Sequence, residues 1–185
     1  MAIALIIILV ILGVILLMAL FMYNGLVVMR NKVKNGWSQI DVQLKKRYDL
    51  VPNLVETVKG YAKHEAGTLS KITELRNQAM QTKDIKAAMK TNDQLSKAIG
   101  GLLNVVVENY PDLKASQNFL MLQEELSGIE NKIAYARQYY NDTIMDYNNK
   151  LQIFPNSIFA KMFNFKEETF LEATVEEKKN VKVSF

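Results

Sequence analysis

Residues 2–23 of the chain read AIALIIILVILGVILLMALFMY and carry no charged side chain. A helix of this length would be about 33 Å long, and the hydrocarbon core of a bilayer is about 30 Å thick. A helix in a soluble core would have polar residues on one face, and this run has none. The run also lacks the basic start, short apolar region and A-x-A site of a cleavable signal peptide. We therefore expect an uncleaved membrane anchor at residues 1–23.

The charges that follow the run predict its orientation. Arg30, Lys32 and Lys34 come shortly after it, and the first acidic residue of the chain is Asp41. Positive residues next to a span tend to stay in the cytoplasm. We expect the N-terminus outside the cell and the rest of the chain in the cytoplasm, with these three cations setting the topology.

The composition favours long helices and excludes several kinds of site. The chain has 185 residues, with only eight glycines and three prolines, which is typical of uninterrupted helices. It has no cysteine, which excludes disulfides, thiolate metal sites and a cysteine nucleophile. A net charge of +4 falls short of a nucleic-acid-binding composition, so no nucleic-acid partner is expected.

Apolar spacing predicts two helices on either side of a reversal. The first is expected to run from Tyr23 to about Tyr48. The segment that follows reads RYDLVPNL. Asp49 could cap the second helix and Pro52 would lie in its first turn, so we expect a tight reversal between the two helices there. A second helix then continues to about Thr82. The apolar stripe of the first helix has 4-3-4 spacing and consists of Val33, Trp37, Ile40 and Leu44.

Two further helices follow. The third is expected from about Asp84 to Tyr110, and close helix packing is our explanation for the unfavourable Gly100-Gly101 pair inside it. The fourth ends at Phe154-Pro155 and is longer than its partners, so the tail or another molecule must cover its overhang. Its apolar residues alternate at spacings of 3 and 4, typical of a coiled-coil seam: Phe119, Leu122, Leu126, Ile129, Ile133, Ala136, Tyr140, Ile144, Tyr147 and Leu151.

These patterns predict an all-α protein. A single N-terminal transmembrane helix is followed by an elongated antiparallel four-helix bundle over residues 24–155. The C-terminal tail, residues 156–185, is expected to pack on the bundle or to be partly disordered. Its last six residues, NVKVSF, alternate like a strand.

No arrangement of residues predicts catalysis, a cofactor or a metal ion. His64 is the only histidine, and one histidine without cysteine does not make a usual zinc site. Pairs such as Glu124-Glu125 are adjacent and would point apart on a helix. Phosphate-binding loops, dinucleotide fingerprints and nucleophile elbows are absent from the sequence. We therefore expect a protein that is not an enzyme.

One polar stretch, GWSQIDVQLKKRYDLVPNLV at residues 36–55, stands out. Two interpretations remain open. Its polar side chains could satisfy backbone groups at helix ends, or they could form a docking surface for a partner. The candidate interaction surface consists of Gln39, Asp41, Gln43, Lys45, Lys46, Arg47 and Asn53.

Three longer runs resemble the LemA family of bacterial membrane proteins. They are YNGLVVMRNKVKNGWSQIDVQLKKRYDLVPNLVETVKGYAKHE, ENYPDLKASQNFLMLQEELSGIENKIAYARQYYND and YNNKLQIFP. The resemblance covers the chain from Tyr23 to about Phe170. The chain departs from it at MFNF (162–165), where a glycine is expected before the last Phe, and at Ile129, where threonine is common.

The resemblance implies one membrane span, a helical bundle and no enzymatic activity or cofactor. Members of the family are often encoded near HtpX-type membrane proteases or small TPM-domain membrane proteins, which implies a partner in envelope maintenance. Two hypotheses follow for this chain in the bacterial cell membrane. It is a non-enzymatic anchored scaffold or adaptor that binds another membrane protein through its bundle, or it is a self-assembling structural homo-oligomer.

Overall fold

The computed structural model describes residues 1–82 and 84–172, and these residues form helices without any strand. The predicted all-α class with a long apolar helix at the N-terminus is confirmed. In chain order the elements are α1 (Ala2–Lys59), a 3-10 turn (Lys63–Glu65), α2 (Ala66–Gln81), α3 (Ile85–Asn109), α4 (Pro111–Lys114), α5 (Gln117–Gln152) and α6 (Asn156–Met162). Residues 173–185, which include the strand-like NVKVSF, lie outside the described part of the chain.

The apolar run is the N-terminal part of α1. Mean hydropathy reaches 3.5 over an 18-residue window, and no residue of that window is buried within the protein. In the described residues, α1 is the one helix long and apolar enough to cross a membrane. The chain thus has the features of a single-pass membrane protein.

The reversal predicted around Asp49 and Pro52 is wrong, because α1 continues through both residues to Lys59. A proline inside a helix has no N–H to donate to the carbonyl four residues earlier, which here is that of Tyr48. The Nε–H of Arg76, from α2, donates to this carbonyl at 2.7 Å. The orphaned acceptor is satisfied from another helix, and α1 is not interrupted.

The chain turns later, just after α1 ends. The N–H groups of Tyr61 and Ala62 both donate to the carbonyl of Val58, at 3.0 and 2.8 Å. Gly60 lies at this turn, where its low helix propensity fits the end of a helix. Pro52 therefore does not end the helix. Gly60, a weaker helix-ending signal 8 residues later, lies where α1 ends.

The third predicted helix agrees closely with α3. Asp84 is its N-cap, and its carboxylate accepts from the N–H of Ala87 at 2.8 Å, as Asp commonly does at this position. The helix ends at Asn109, just before Pro111. Its predicted apolar face is buried at Ala88, Leu95, Ile99, Leu102 and Val106.

Close packing does not explain Gly100 and Gly101. A Cβ atom added to either glycine would meet nothing within 4 Å, so this expectation was wrong. The close approach is found instead at Gly36, where a Cβ would lie 3.2 Å from Cδ2 of Tyr140. Glycine at position 36 allows α1 to approach α5, whereas the pair in α3 faces open space.

The chain divides into two compact units. The first comprises residues 1–38 and 136–170, and the second comprises residues 39–135 with the segment from residue 171. In the second unit, α2 packs against α3. The apolar seam predicted for the fourth helix is buried in α5, except that Leu122 is half-buried.

The tail, one of the two occupants considered for the overhang, bonds to the end of α5. Asn148 makes a reciprocal pair of hydrogen bonds with the backbone of Glu168, donating from Nδ2 to its carbonyl at 2.8 Å and accepting its N–H at 3.0 Å. Gln152 donates to the carboxylate of Glu167 at 2.9 Å. Leu151 is buried in the same region.

Candidate functional site

Most of the residues predicted to form an interaction surface are exposed on α1. The exceptions are Gln43, which is half-buried, and Arg47, whose side chain is only 2% exposed. Arg47 therefore does not lie on that surface. The exposed members of the predicted set are Gln39, Asp41, Lys45, Lys46 and Asn53.

The exposed side chains include one continuous line along α1, which we call the polar ridge. Its members recur at spacings of 3 and 4, which places them on one face of a helix. All are exposed, and the ridge contains one large apolar side chain, Val42. Asp41 and Lys45 lie beside it. The polar ridge consists of Gln39, Val42, Lys46, Asp49 and Asn53.

The opposite face of the same helix segment is buried. Ile40, Leu44, Val51 and Leu54 are each at most 2% exposed. The segment thus has a packed apolar face and a solvated polar face, as expected for an amphipathic surface helix. Packing of the buried face fixes the position of the helix segment that carries the ridge.

Arg47 ties this segment of α1 to two other helices. Its Nη1 donates to Oγ of Ser96 in α3 at 2.6 Å and to both carboxylate oxygens of Glu130 in α5 at 2.9 Å. Its Nη2 donates to Oδ1 and to the backbone carbonyl of Asn92 in α3. A planar guanidinium with several fixed donors suits such a junction better than an ammonium does.

Asn92 links this arginine to Tyr48. The side-chain amide of Asn92 lies 2.7 and 2.9 Å from the Tyr48 hydroxyl through its nitrogen and oxygen, and it donates to the carbonyl of Ala88 at 2.9 Å. Burial raises the pKa of the Tyr48 phenol above its ordinary value of 10.0, although the bond with Asn92 and the charge of Arg47 oppose this. The phenol is therefore neutral at physiological pH and can donate.

A cavity of about 320 Å³ opens beside this network. Arg47 and Glu130 contribute its charged groups, and Gly100 leaves room in its wall because no side chain projects there. Such a mixture of polar and apolar groups suits a partner's side chain or a small polar molecule. The lining residues are Arg47, Ser96, Ile99, Gly100, Leu103, Asn104, Gln123, Leu126, Ser127, Glu130 and Asn131.

The sequence interpretation missed the partners of Arg47. A signal for one of them was present, because the apolar stripe of α3 skips a turn between Ala88 and Leu95. Asn92 occupies the missing position and is 1% exposed. A polar residue in register with a buried stripe indicates a hydrogen-bonded site inside the core. Nothing comparable identified Glu130, which is partly exposed.

The three residues predicted to set the topology have different environments. Lys32 and Lys34 are exposed. Arg30 is half-buried, and its guanidinium carbon lies 5.2 Å from the ring centroid of Phe165, within the range of a cation–π contact. This cation therefore also holds the segment that follows α6.

His64 and the carboxylates do not form a metal-binding group in the described residues. His64 is exposed in the 3-10 turn. Within residues 1–82 and 84–172, no group of three or more His, Asp or Glu side chains could hold a metal ion.

A family model and several curated proteins match this chain. A sequence model described as the LemA family matches residues 36–185. The chain is 29% identical to Protein LemA of Metamycoplasma hominis, over 87% of this chain and 74% of that protein. It is 24% identical to Magnetosome protein MamQ 2 of Paramagnetospirillum magneticum, over 83% of this chain. The chain spans 65% of that magnetosome protein's length.

Proposed function

The chain belongs to the LemA family, and from this we propose that it is a non-enzymatic, membrane-anchored scaffold or adaptor that binds another membrane protein through the polar ridge. The observation that carries the proposal is the continuity of α1. One helix, Ala2–Lys59, contains both the apolar run and the ridge. A partner held in the same bilayer would meet a surface that is covalently fixed to the anchor.

The ridge is suited to docking because it is already ordered. Its helix segment is packed on one side and fastened by Arg47 to α3 and α5. Binding would therefore cost little conformational entropy in the backbone. Lys46 and Asp49 present both charge signs, which gives register and specificity to a helix–helix contact.

The proposed bundle comprises residues 24–155 in an antiparallel four-helix arrangement of α1, α2, α3 and α5, between an anchor at 1–23 and a tail at 156–185. The anchor holds this chain at the bilayer, which supports a partner that is held there too. Among partners that family resemblance suggests, an HtpX-type protease or a TPM-domain protein would need a region outside the bilayer to reach the ridge.

Site-specific crosslinking tests this proposal. A photoreactive amino acid in place of Val42, in full-length protein in living cells, should give one major crosslinked membrane protein, identified by mass spectrometry. Charge reversal by Lys45→Glu and Lys46→Glu should remove most of that product, because it changes the ridge and its border. The matched control is Lys86→Glu with Lys90→Glu, the same charge change at two exposed lysines of α3.

Equal crosslinking in both double variants would contradict the ridge as the docking surface. A crosslink to a second copy of the chain would favour the alternative, a structural homo-oligomer. That alternative was motivated by the overhang of the last long helix. The chain's own tail bonds to Asn148 and Gln152 in this overhang, so those two side chains do not need a second copy as their partner.

We propose that the N-terminus is outside and the bundle is cytoplasmic, on the strength of Arg30, Lys32 and Lys34. The chain has no cysteine, so Ser184→Cys creates a single labelling site. A membrane-impermeant maleimide should label it only after lysis. Labelling in intact cells would mean that the bundle lies outside the cytoplasm, and partners would then be sought there.

A further inference from the structure

Several large apolar side chains around α6 are more than half exposed in the described part of the chain. Ile153, Phe154, Ile158 and Met162 are 60%, 76%, 56% and 61% exposed. Ile158 and Met162 are four residues apart in a helix and therefore share a face. Ala160, just over half a turn away from either, is buried. Large exposed apolar side chains that are this near one another in the chain suggest an interaction site. We call these four residues the apolar cluster.

The apolar cluster lies in the same compact unit as the membrane-spanning part of α1. The ring of Phe163, the residue after α6, is 5.0 Å from the ring of Tyr23, and that of Phe165 is 5.8 Å from it. Tyr23 is the last residue of the apolar run. These ring contacts place the C-terminal end of α6 at the level where the run ends.

Cationic side chains occupy the same level. The ammonium nitrogen of Lys150 lies beside α1. It is 3.3 Å from the position that a Cβ atom on Gly25 would occupy. Lys161 is exposed on α6, next in sequence to Met162. Tyrosine and lysine are favoured where a protein crosses the boundary between hydrocarbon and headgroups, because each has an apolar body and a polar tip.

We propose that α6, with the preceding Ile153 and Phe154, lies in the interfacial layer of the bilayer that α1 crosses, and that lipid covers the apolar cluster. A short helix with apolar side chains on one face and lysine beside them can lie in the plane of this layer. The chain would then have two membrane contacts, a span and an interfacial helix. The second would restrict rotation and tilt of the first unit relative to the bilayer.

Lipid explains the position of the apolar cluster better than a soluble partner does. No charged side chain precedes Arg30, and the ring contacts of Tyr23 lie at the end of the apolar run, so we place the bilayer boundary near them. A protein that covered the apolar cluster from the aqueous side would compete with headgroups already present at that level. Continuity with the anchor thus favours the bilayer over a second copy or another protein.

Site-directed spin labelling in nanodiscs of phosphatidylcholine and phosphatidylglycerol tests the proposal on the full-length chain. Ile158→Cys and Met162→Cys are suitable because both side chains are exposed and the chain has no other cysteine. The matched control is Met121→Cys in α5, which is 57% exposed. Labels at 158 and 162 should collide several-fold more with lipid-soluble oxygen than with a water-soluble nickel complex, and the label at 121 should show the opposite preference.

Two outcomes would overturn the proposal. Water accessibility at 158 and 162 equal to that at 121 would place α6 in solution. Protection from both oxygen and the nickel complex would mean that protein covers the apolar cluster. Line broadening that disappears on dilution with unlabelled chain would then identify a second copy as the occupant.

Photolabelling of the unmutated chain gives a second, independent measurement. A carbene reagent confined to the bilayer should label peptides from residues 2–23 and 153–163 but not 117–135. Labelling of 2–23 is the control that separates failure of this proposal from failure of the anchor. If 2–23 is labelled and 153–163 is not, α6 does not touch lipid.

Discussion

Replacing Arg47 with Ala is expected to lower the free energy of unfolding by about 3 kcal/mol, the lower end of the range for breaking a buried charge pair. The lower end applies because the Glu130 side chain is 41% exposed and can regain water. The remaining loss comes from Asn92, which is 1% exposed and would lack its strongest donor. Denaturant unfolding of the full-length chain in detergent, followed by circular dichroism, measures this loss.

Arg47→Lys is the informative companion variant. An ammonium keeps the charge but cannot reach Ser96, Glu130 and Asn92 together, so we expect stability between that of wild type and Arg47→Ala. Ser96→Ala removes one hydrogen bond at the edge of the network and should cost only about 1 kcal/mol. If Arg47→Ala and Ser96→Ala were equally mild, Arg47 would not hold the three helices together.

Loss of the Arg47 network should also weaken partner binding, although no network atom belongs to the polar ridge. The ridge depends on Arg47 only for its rigid support. The yield of the crosslink from position 42 should therefore be lower in Arg47→Ala than in wild type, because α1 is held less rigidly. Unchanged crosslinking in a destabilised variant would show that the ridge binds without that support.

Pro52→Ala is expected to stabilise the protein, by about 2 kcal/mol. Proline inside a helix is about 3 kcal/mol less favourable than alanine, and part of that cost is already offset by Arg76. Alanine would restore an N–H that can donate to the Tyr48 carbonyl along the helix. Unfolding experiments under the same detergent conditions test the sign and size of the change. A neutral effect would mean that Arg76 fully compensates for the proline, and a destabilising effect would contradict a helical backbone at position 52.

A double-mutant cycle separates the role of Arg76 from its general packing. In the wild-type background, Arg76→Ala leaves the Tyr48 carbonyl without its donor, at an expected cost of about 1 to 3 kcal/mol. In the Pro52→Ala background the helix itself supplies a donor, so the same substitution should cost about 1 kcal/mol less. Additive effects would mean that Arg76 does not compensate for the proline.

The sequence determined the features that depend on local patterns. Residues 2–23 are uniformly apolar over a length that spans a bilayer, whatever the rest of the chain does. The stripes of α3 and α5 specify buried faces because each residue's position around a helix follows from its number alone. Asp84 caps α3 through an N–H three residues away, which is also a local contact.

The tertiary structure decided the points at which distant residues meet. Pro52 is helical because Arg76, far along the chain, satisfies a carbonyl that no local sequence rule could assign. Arg47 is buried because α3 and α5 supply its acceptors, whereas the sequence predicted it on an interaction surface together with Lys45 and Lys46. The environment of α6 likewise depends on ring contacts with Tyr23. Spacing along a chain fixes which face a residue occupies, but only the packing of helices determines what lies against that face.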